Sequence, residues 1–397
     1  MLTRRGTSVG IGSAVAAGAG RLFGMGELLV LALAGIALIS GSVVWTRTRR
    51  IRLRIQRSVQ PARVHAGGKA RVQLVLTNLG GHAPLLQLTD PVTGTLGARL
   101  GVGPLLAAER LSTSYLLPTQ RRGRLEIGPA EVDVVDPLGL ARTRVGEGPR
   151  TVLVVYPATQ TLAPPRLARG PEPLGLAADV HTLQRIGEDF YALRDYTAGD
   201  DVRRIHWPST ARLGRPMVRE DEVPRRSRVT VVLDTRSTAF DAGPLIDERF
   251  ELAVSAAASV VLASATRHDP LRLLTVAGAD TGFVTSGEGL AQVFDHLADV
   301  STSAQGSLRS TLAAAAATAV GAVVVVLGGT VFDAARDAEA ISAAGSRTSS
   351  MTVIRVCRPG DALPAGGPGV VDISTLAELG PKWAAAQTSS QANAVST

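Results

Sequence analysis

The sequence predicts three parts in series: an N-terminal transmembrane helix or hairpin, an all-β sandwich, and a Rossmann-type α/β domain. Three observations carry this. An apolar run near the N-terminus holds one charge in about twenty residues; short period-two runs follow, parted by Gly, Pro and Asn; and beyond residue 228 continuous apolar runs alternate with helical stretches. At 397 residues the chain exceeds what one core usually holds, since single cores stop growing near roughly 250 to 300 residues. Hydrophobic residues make up 45% and aromatics only 4%, so the cores are built from Ala, Val and Leu, in a packed rather than disordered chain.

Residues 25–45 read MGELLVLALAGIALISGSVVW, with Glu27 as the only charge, which matches the ~20 residues a spanning helix needs. Residues 8–23 are apolar, rich in Gly and Ala, and carry Arg21; a second helix of a hairpin, a re-entrant piece and a leader all fit them. A secretory signal competes, because Arg4 and Arg5 precede an apolar stretch. Against export stands the basic run after Trp45, namely Arg47, Arg49, Arg50, Arg52, Arg54 and Arg57, since positive charge flanking a helix tends to stay inside. Residues 1–50 are therefore expected to anchor the chain in the cell membrane, with the soluble domains in the cytoplasm.

The net charge of +8 rests on 40 arginines and two lysines, Lys69 and Lys382, an Arg and Ala bias of the kind a high-GC genome produces. Its densest part lies beside the apolar helix, where it suits anionic lipid, so nucleic acid is not expected as a partner. The single cysteine, Cys357, forms no internal disulfide and points to a reducing compartment.

Residues 51–157 contain RVQLVLTN, PLLQL, LSTSYLL, GRLEIG, AEVDVVD and TVLVVYP. Alternation with a turn every ten or so positions predicts an immunoglobulin-like sandwich of about seven strands. A Pro, Leu and Arg-rich stretch, 158–182, reads as a linker. Residues 228–387 then alternate between RVTVVLD, LRLLTVA, AVVVVLGG and MTVIRVC as buried strands and apolar-periodic helices, which predicts a mainly parallel sheet covered on both faces. The polar tail, 388–397, is expected to be disordered.

Between the linker and that sheet, in 183–227, four of the chain's 14 aromatics (Phe190, Tyr191, Tyr196 and Trp207) fall within 18 residues, which predicts an ordered, packed element. Acidic and basic residues interleave there: Arg194 with Asp195, Asp200 and Asp201 with Arg203 and Arg204, then Arg212, Arg215 and Arg219 with Glu220. Such spacing suits an internal ion-pair network or a surface that grips a charged partner. From residue 185 to 228 ten arginines face eight acids, a near-balance better suited to a protein contact than to a nucleic-acid backbone.

The phrase GEDFYALRDYTAGDDVRRIHWPSTARLGRPMVRE, 187–220, resembles a bacterial family known as domain of unknown function family fifty-eight, found beside MoxR-type AAA ATPases. The likeness rests on the Gly199, Asp200, Asp201 turn, on Arg203, Trp207, Ala211 and Arg212, and on Val218 with Arg219; RRGRLEIGPAEVDVVDPLGL, 121–140, reinforces it. The resemblance implies a membrane-anchored protein with a von Willebrand factor A-like end and a MoxR-type AAA ATPase as partner. Such domains often bind a divalent ion through an Asp-x-Ser-x-Ser phrase. Here the phrase is Asp234, Thr235, Arg236, Ser237, Thr238, with Arg in place of the first ligating Ser, and the later loop Leu327, Gly328, Gly329, Thr330 lacks the completing Asp. A degenerate site at Asp234 and Thr238, with no metal and no cofactor, is the expectation. Asp234 is expected to pair with Arg236 or to cap a helix.

Other candidates have plain readings. Asp200 and Asp201 fit a catalytic carboxylate pair or a turn, and the turn is favoured. His206 with Ser209 lacks a Gly-x-Ser-x-Gly elbow, and packed structure is favoured. Gly328 and Gly329 fit an anion cradle or a tight turn. No phosphate-binding loop is present, so ATP hydrolysis would belong to a partner. Two functions remain: a scaffold or adaptor whose partner-binding surface includes Arg194, Asp195, Tyr196, Gly199, Asp200, Asp201, Arg203, Trp207 and Arg212, and a hydrolase using carboxylates of 187–220. The client protein is not named by the sequence.

Overall fold

A computed structural model describes residues 1–49, 51–165, 190–197, 200–221, 228–240, 248–317, 321–328, 334–348, 350–358 and 369–395. The chain divides into two compact units, Met1–Thr159 with Ala291–Ser301, and Gln160–Leu290 with Thr302–Thr397.

The first unit opens with α1 (Arg4–Phe23) and α2 (Gly26–Thr48), two helices of a hairpin joined at Gly24 and Met25. Residues 8–23 are helical and lie along α2 as a hairpin, although α1 is not among the helices apolar enough to cross a membrane. Small residues let the helices close on each other: a Cβ on Gly35 would lie 2.0 Å from the Ser13 hydroxyl, so a larger residue there would have to displace that side chain. Two described helices are long and apolar enough to cross a membrane, α2 and α4 (Glu248–Thr266). They differ in burial: 67% of the α4 window is buried in its own unit against 11% for α2, which makes α2 the candidate membrane anchor.

The sandwich-like part contains ten strands, not about seven. β1 (Leu53–Gln60), β3 (Arg71–Asn78) and β6 (Arg110–Leu116) form one antiparallel sheet in the order β1-β3-β6. β4 (Leu86–Asp90), β5 (Ala98–Val102), β8 (Glu131–Val135) and β9 (Arg142–Glu147) form a second, ordered β5-β4-β8-β9. A third runs β2-β10-β7, from β2 (Arg63–His65), β7 (Gly123–Ile127) and β10 (Thr151–Tyr156). Inward residues such as Val72, Leu74, Leu76, Leu86, Leu88, Val132, Val134 and Leu153 share one core, with alternation doing what a two-layer β domain requires.

Arg57 departs from the sequence reading. On β1 inward and outward positions alternate, and Arg57 is inward, its side chain fully buried against the carboxylate of Asp90. Its guanidinium also donates to the carbonyls of Ile127 (2.8 Å) and Pro149, while the Tyr115 hydroxyl donates to Asp90 at 2.7 Å. Burial first, then the bond to Asp90, pushes the Tyr115 phenol well above its ordinary range, so it remains a neutral donor. Arg57 thus ties strands of separate sheets together and is not part of the basic flank of α2.

The second unit holds a five-stranded, wholly parallel sheet, ordered β14-β13-β15-β16-β17. Its strands are β13 (Arg228–Leu233), β14 (Leu271–Thr275), β15 (Gly321–Gly328), β16 (Ser350–Val356) and β17 (Val370–Ile373). Val232, Leu274, Val323 and Val325 pack with Leu308 and Leu312 of α6 (Leu308–Ala317) and Ala340 and Ala344 of α7 (Ala334–Gly345). The intervening Val231, Val324 and Val326 are buried too, and α4 packs against β13, β15 and β16, so both faces are covered and the strands read as unbroken apolar runs. The segment read as the start of a linker packs here: Gln160 N–H donates to Ser259 Oγ (2.9 Å), and the fully buried Trp383 donates its indole N–H to the Ala163 carbonyl (2.8 Å). Residues 166–182 of that linker lie outside the described residues. Trp383 belongs to α8 (Leu376–Val395), whose helix runs through most of the tail expected to be disordered.

Candidate functional site

Two places gather the residues singled out by the sequence. The first is an antiparallel pair, β11 (Phe190–Asp195) and β12 (Met217–Asp221), bridged by a 3-10 turn (Val202–Arg204) and the short helix α3 (Trp207–Leu213). The insert is tied to the strands by its backbone: His206 N–H donates to Met217 O (2.8 Å), Tyr196 N–H to Pro216 O (3.0 Å), and Met217 N–H to Thr210 Oγ1 (3.0 Å). Asp200 and Asp201 make turns. Asp200 accepts from Thr197 N–H at 2.8 Å, and Asp201 accepts from Arg203 N–H at 3.0 Å, which satisfies an otherwise orphan donor of the 3-10 turn. Asp195 pairs with Arg215 at 2.9 Å, an exposed pair that contributes little stability. His206 Nδ1 lies 2.9 Å from Ser209 Oγ, and Ser209 and Thr210 N–H both return to the His206 carbonyl, so the contact is a local one at the start of α3.

Of the four rings, the described side chains are Tyr196 and Trp207, and neither is packed away, which corrects the expectation for those two; the side chains of Phe190 and Tyr191 lie outside the described residues. Trp207 is 65% exposed, and Tyr196, Val202 and Leu213 are exposed with it. A two-stranded sheet with a seven-residue helix has too little interior to hide them. Arg203 and Arg212 are exposed in the same insert and make no ion pair among the described residues. The strand residue Arg194 pairs in register with Val218 through the backbone, and Gly199 lies outside the described residues.

The second place is the carboxyl end of β13. The sheet order reverses between β13 and its neighbours β14 and β15, and in open α/β sheets such a switch point is where ligands bind. Asp234, fully buried, sits there and receives Arg236 through Nε (2.9 Å) and Nη2 (2.8 Å). The same guanidinium reaches Asp337, in the first turn of α7, at 3.1 and 2.8 Å. Burial works against the Arg236 charge, but the two carboxylates hold its pKa well above the ordinary value. The pairing of Asp234 with Arg236 accords with the sequence; Asp337, 101 positions from Arg236, was not foreseen. Thr238 is exposed on the following turn. Gly328 answers a close approach, because a Cβ there would lie 2.3 Å from the Ala239 carbonyl oxygen; Gly329 and Thr330 lie outside the described residues.

Residues 192–379 match the family described as protein of unknown function DUF58. The matched region takes in α3, β12, the parallel sheet and the Asp234, Arg236, Asp337 trio, and stops short of the sandwich. The chain is similar to "Uncharacterized protein Rv1480" of Mycobacterium tuberculosis, 33% identical over 112 residues, which cover 28% of this chain and 35% of that protein. "Uncharacterized protein Mb1516" of Mycobacterium bovis matches to the same extent, so the chain spans about a third of the length of these curated relatives. Among solved structures, the CARDB domain of the PF1109 protein from Pyrococcus furiosus is 18% identical, covering 26% of this chain and 91% of that domain with a TM-score of 0.21. A chain of the human complex of zinc 2-glycoprotein with prolactin inducible protein is 17% identical, covering 27% and 97%, with a TM-score of 0.21.

Proposed function

We propose that this protein is a member of the DUF58 family that works as a membrane-anchored scaffold, with its soluble units in the cytoplasm and a MoxR-type AAA ATPase docked on the β11–β12 insert. The observation that carries the reading is Trp207, 65% exposed in the same insert as the exposed Val202, Leu213, Arg203 and Arg212, the two arginines making no ion pair among the described residues. An exposed Trp and Arg set is the composition of an interaction hot spot. The second unit is read as von Willebrand factor A-like, with the Arg236 guanidinium standing where such a domain would hold a cation. That reading leaves the domain as a rigid, metal-independent platform.

The hydrolase alternative has one observation in its favour, the His206 and Ser209 contact, which also serves the start of α3. The test is co-purification of the tagged full-length chain from its native membranes, as wild type and as Trp207→Ala and Arg203→Ala. Truncating a hot-spot residue costs about 2 kcal/mol or more, roughly thirtyfold in affinity, so the ATPase recovered with the wild type should be lost from both variants. Full recovery with correctly folded variants, or no ATPase with the wild type, overturns the proposal. A Ser209→Ala loss of esterase or peptidase turnover would favour the hydrolase instead.

A further inference from the structure

The loop between β8 and β9 is fastened to the helical hairpin rather than left in solution. Thr3 N–H donates to the Leu140 carbonyl (2.9 Å), the Met1 amino group donates to the Arg142 carbonyl (2.7 Å), and the Ser42 hydroxyl of α2 donates to Asp136 (3.0 Å). Asp136 also accepts from the N–H groups of Leu138 (3.0 Å) and Ala141 (2.6 Å), so its charge is spent inside the loop. Beside these anchors α2 and the loop flank an open groove of ≈ 570 Å³, whose wall is apolar along Ala34, Ala37, Leu38, Trp45 and Leu138 and polar only at the bonded pair Ser42 and Asp136.

The groove has the placement and charge of a lipid site. From Ala34 to Trp45 it follows α2 for about 17 Å at 1.5 Å per residue, so with Trp45 at headgroup level it reaches roughly the middle of a ~30 Å hydrocarbon core. Leu138 is 55% exposed on its wall, an apolar side chain that water would disfavour and acyl chains would accept. Two guanidinium groups flank it. Arg49 lies 4.9 Å over the Trp45 ring, and Arg5 Nη1 stands 3.8 Å from the Cβ position of Gly139, the neighbour of Leu138. Asp136 is satisfied by the loop and by Ser42, and Arg5 and Arg49 are both exposed, which leaves their charge open to an anion.

We propose that this groove holds one acyl chain of an anionic phospholipid, with Arg5 and Arg49 receiving its headgroup phosphate. The inference rests on the reading of the hairpin as membrane-embedded. Its consequence is that the sandwich sits directly on the bilayer surface, held by a lipid as well as by the chain.

The test uses the full-length chain, floated with vesicles of phosphatidylcholine and phosphatidylglycerol, then transferred to detergent for native mass spectrometry. One retained phosphatidylglycerol per chain is expected, preferred over phosphatidylcholine by about fivefold for each arginine engaged. Ala37→Phe fills the groove from an exposed position and should abolish retention; Leu138→Ser, on the exposed loop, should reduce it; Arg5→Ala with Arg49→Ala should remove the headgroup preference. Flotation without a retained lipid, or equal retention by Ala37→Phe, overturns the groove assignment while the anchor stands. Failure to float overturns the membrane reading, and this inference with it.

Discussion

Replacing Arg236 by Ala removes the cation that bridges Asp234 and Asp337, two carboxylates that the fold holds in place. Asp234 is 0% exposed and Asp337 is 15% exposed at their side chains, and each receives two N–H groups from the guanidinium. With the cation gone, the backbone N–H of residue 236 still donates to Asp234 (3.0 Å), but a buried carboxylate then faces a second one. Breaking a buried pair in this way costs about 3 to 5 kcal/mol. At roughly 2 to 4 °C per kcal/mol for a domain of this size, calorimetry of the full-length chain in detergent should place the unfolding of the second unit about 6 to 20 °C lower. The triple replacement Arg236→Met, Asp234→Asn, Asp337→Asn should recover much of the loss, because it removes the uncompensated charge together with the pair. Millimolar Mn²⁺ should raise the melting of Arg236→Ala and leave the wild type unmoved, since a hard cation can enter only after the guanidinium leaves. An unchanged melting temperature in Arg236→Ala would show that the trio does not hold β13 to α7.

Three further outcomes follow from the packing. Asp90→Ala strands the fully buried Arg57 cation in the sandwich core and should cost about 3 to 5 kcal/mol, read by chemical denaturation, with Arg57→Met restoring part of it. Trp383→Ala, which empties a fully buried ring site and frees the Ala163 carbonyl, should cost about 3 to 5 kcal/mol in the second unit and leave the sandwich transition in place. Glu378 is pulled down from 4.5 to about 2 by its bond with Lys382 and by the hydroxyl and N–H of Ser374. Its folded value is depressed, so its contribution is complete above the unfolded value and is lost as pH falls from 4.5 toward 2; amide exchange in the first turn of α8 should quicken over that window, and Glu378→Gln should flatten the dependence.

The strands that the sequence reveals are those whose residues answer to one rule. Val231, Val232, Val324 and Val325 are buried whichever face they take, so β13 and β15 stand out as apolar runs. The alternation of β3, with Val72, Leu74 and Leu76 inward, is equally plain. β1 was hidden because two rules compete at the same residues. Its arginines satisfy the pattern of a helix flank, and only the distant Asp90 shows that Arg57 belongs to a strand interior. β2, β5 and β9 are short or half-exposed, and β17 has four residues, too few for either period to declare itself.

The same limit explains what was legible at the sites. Asp234 and Arg236 are two positions apart, and their pairing follows from local chemistry, whereas Asp337 enters only through the parallel topology that brings the start of α7 to the end of β13. In the 190–221 segment, ring density in a ring-poor chain marked an ordered element, but composition carries no information about which side of that element is wet. Burial needs a second layer, and β11–β12 forms a sheet of two strands on its own. Among the described residues nothing covers Trp207, which is 65% exposed. The turn chemistry at Asp200 and Asp201 needs no aromatic residue to be satisfied, so the exposed ring is not explained by the turn, and the proposed docking surface is the role it is tested for.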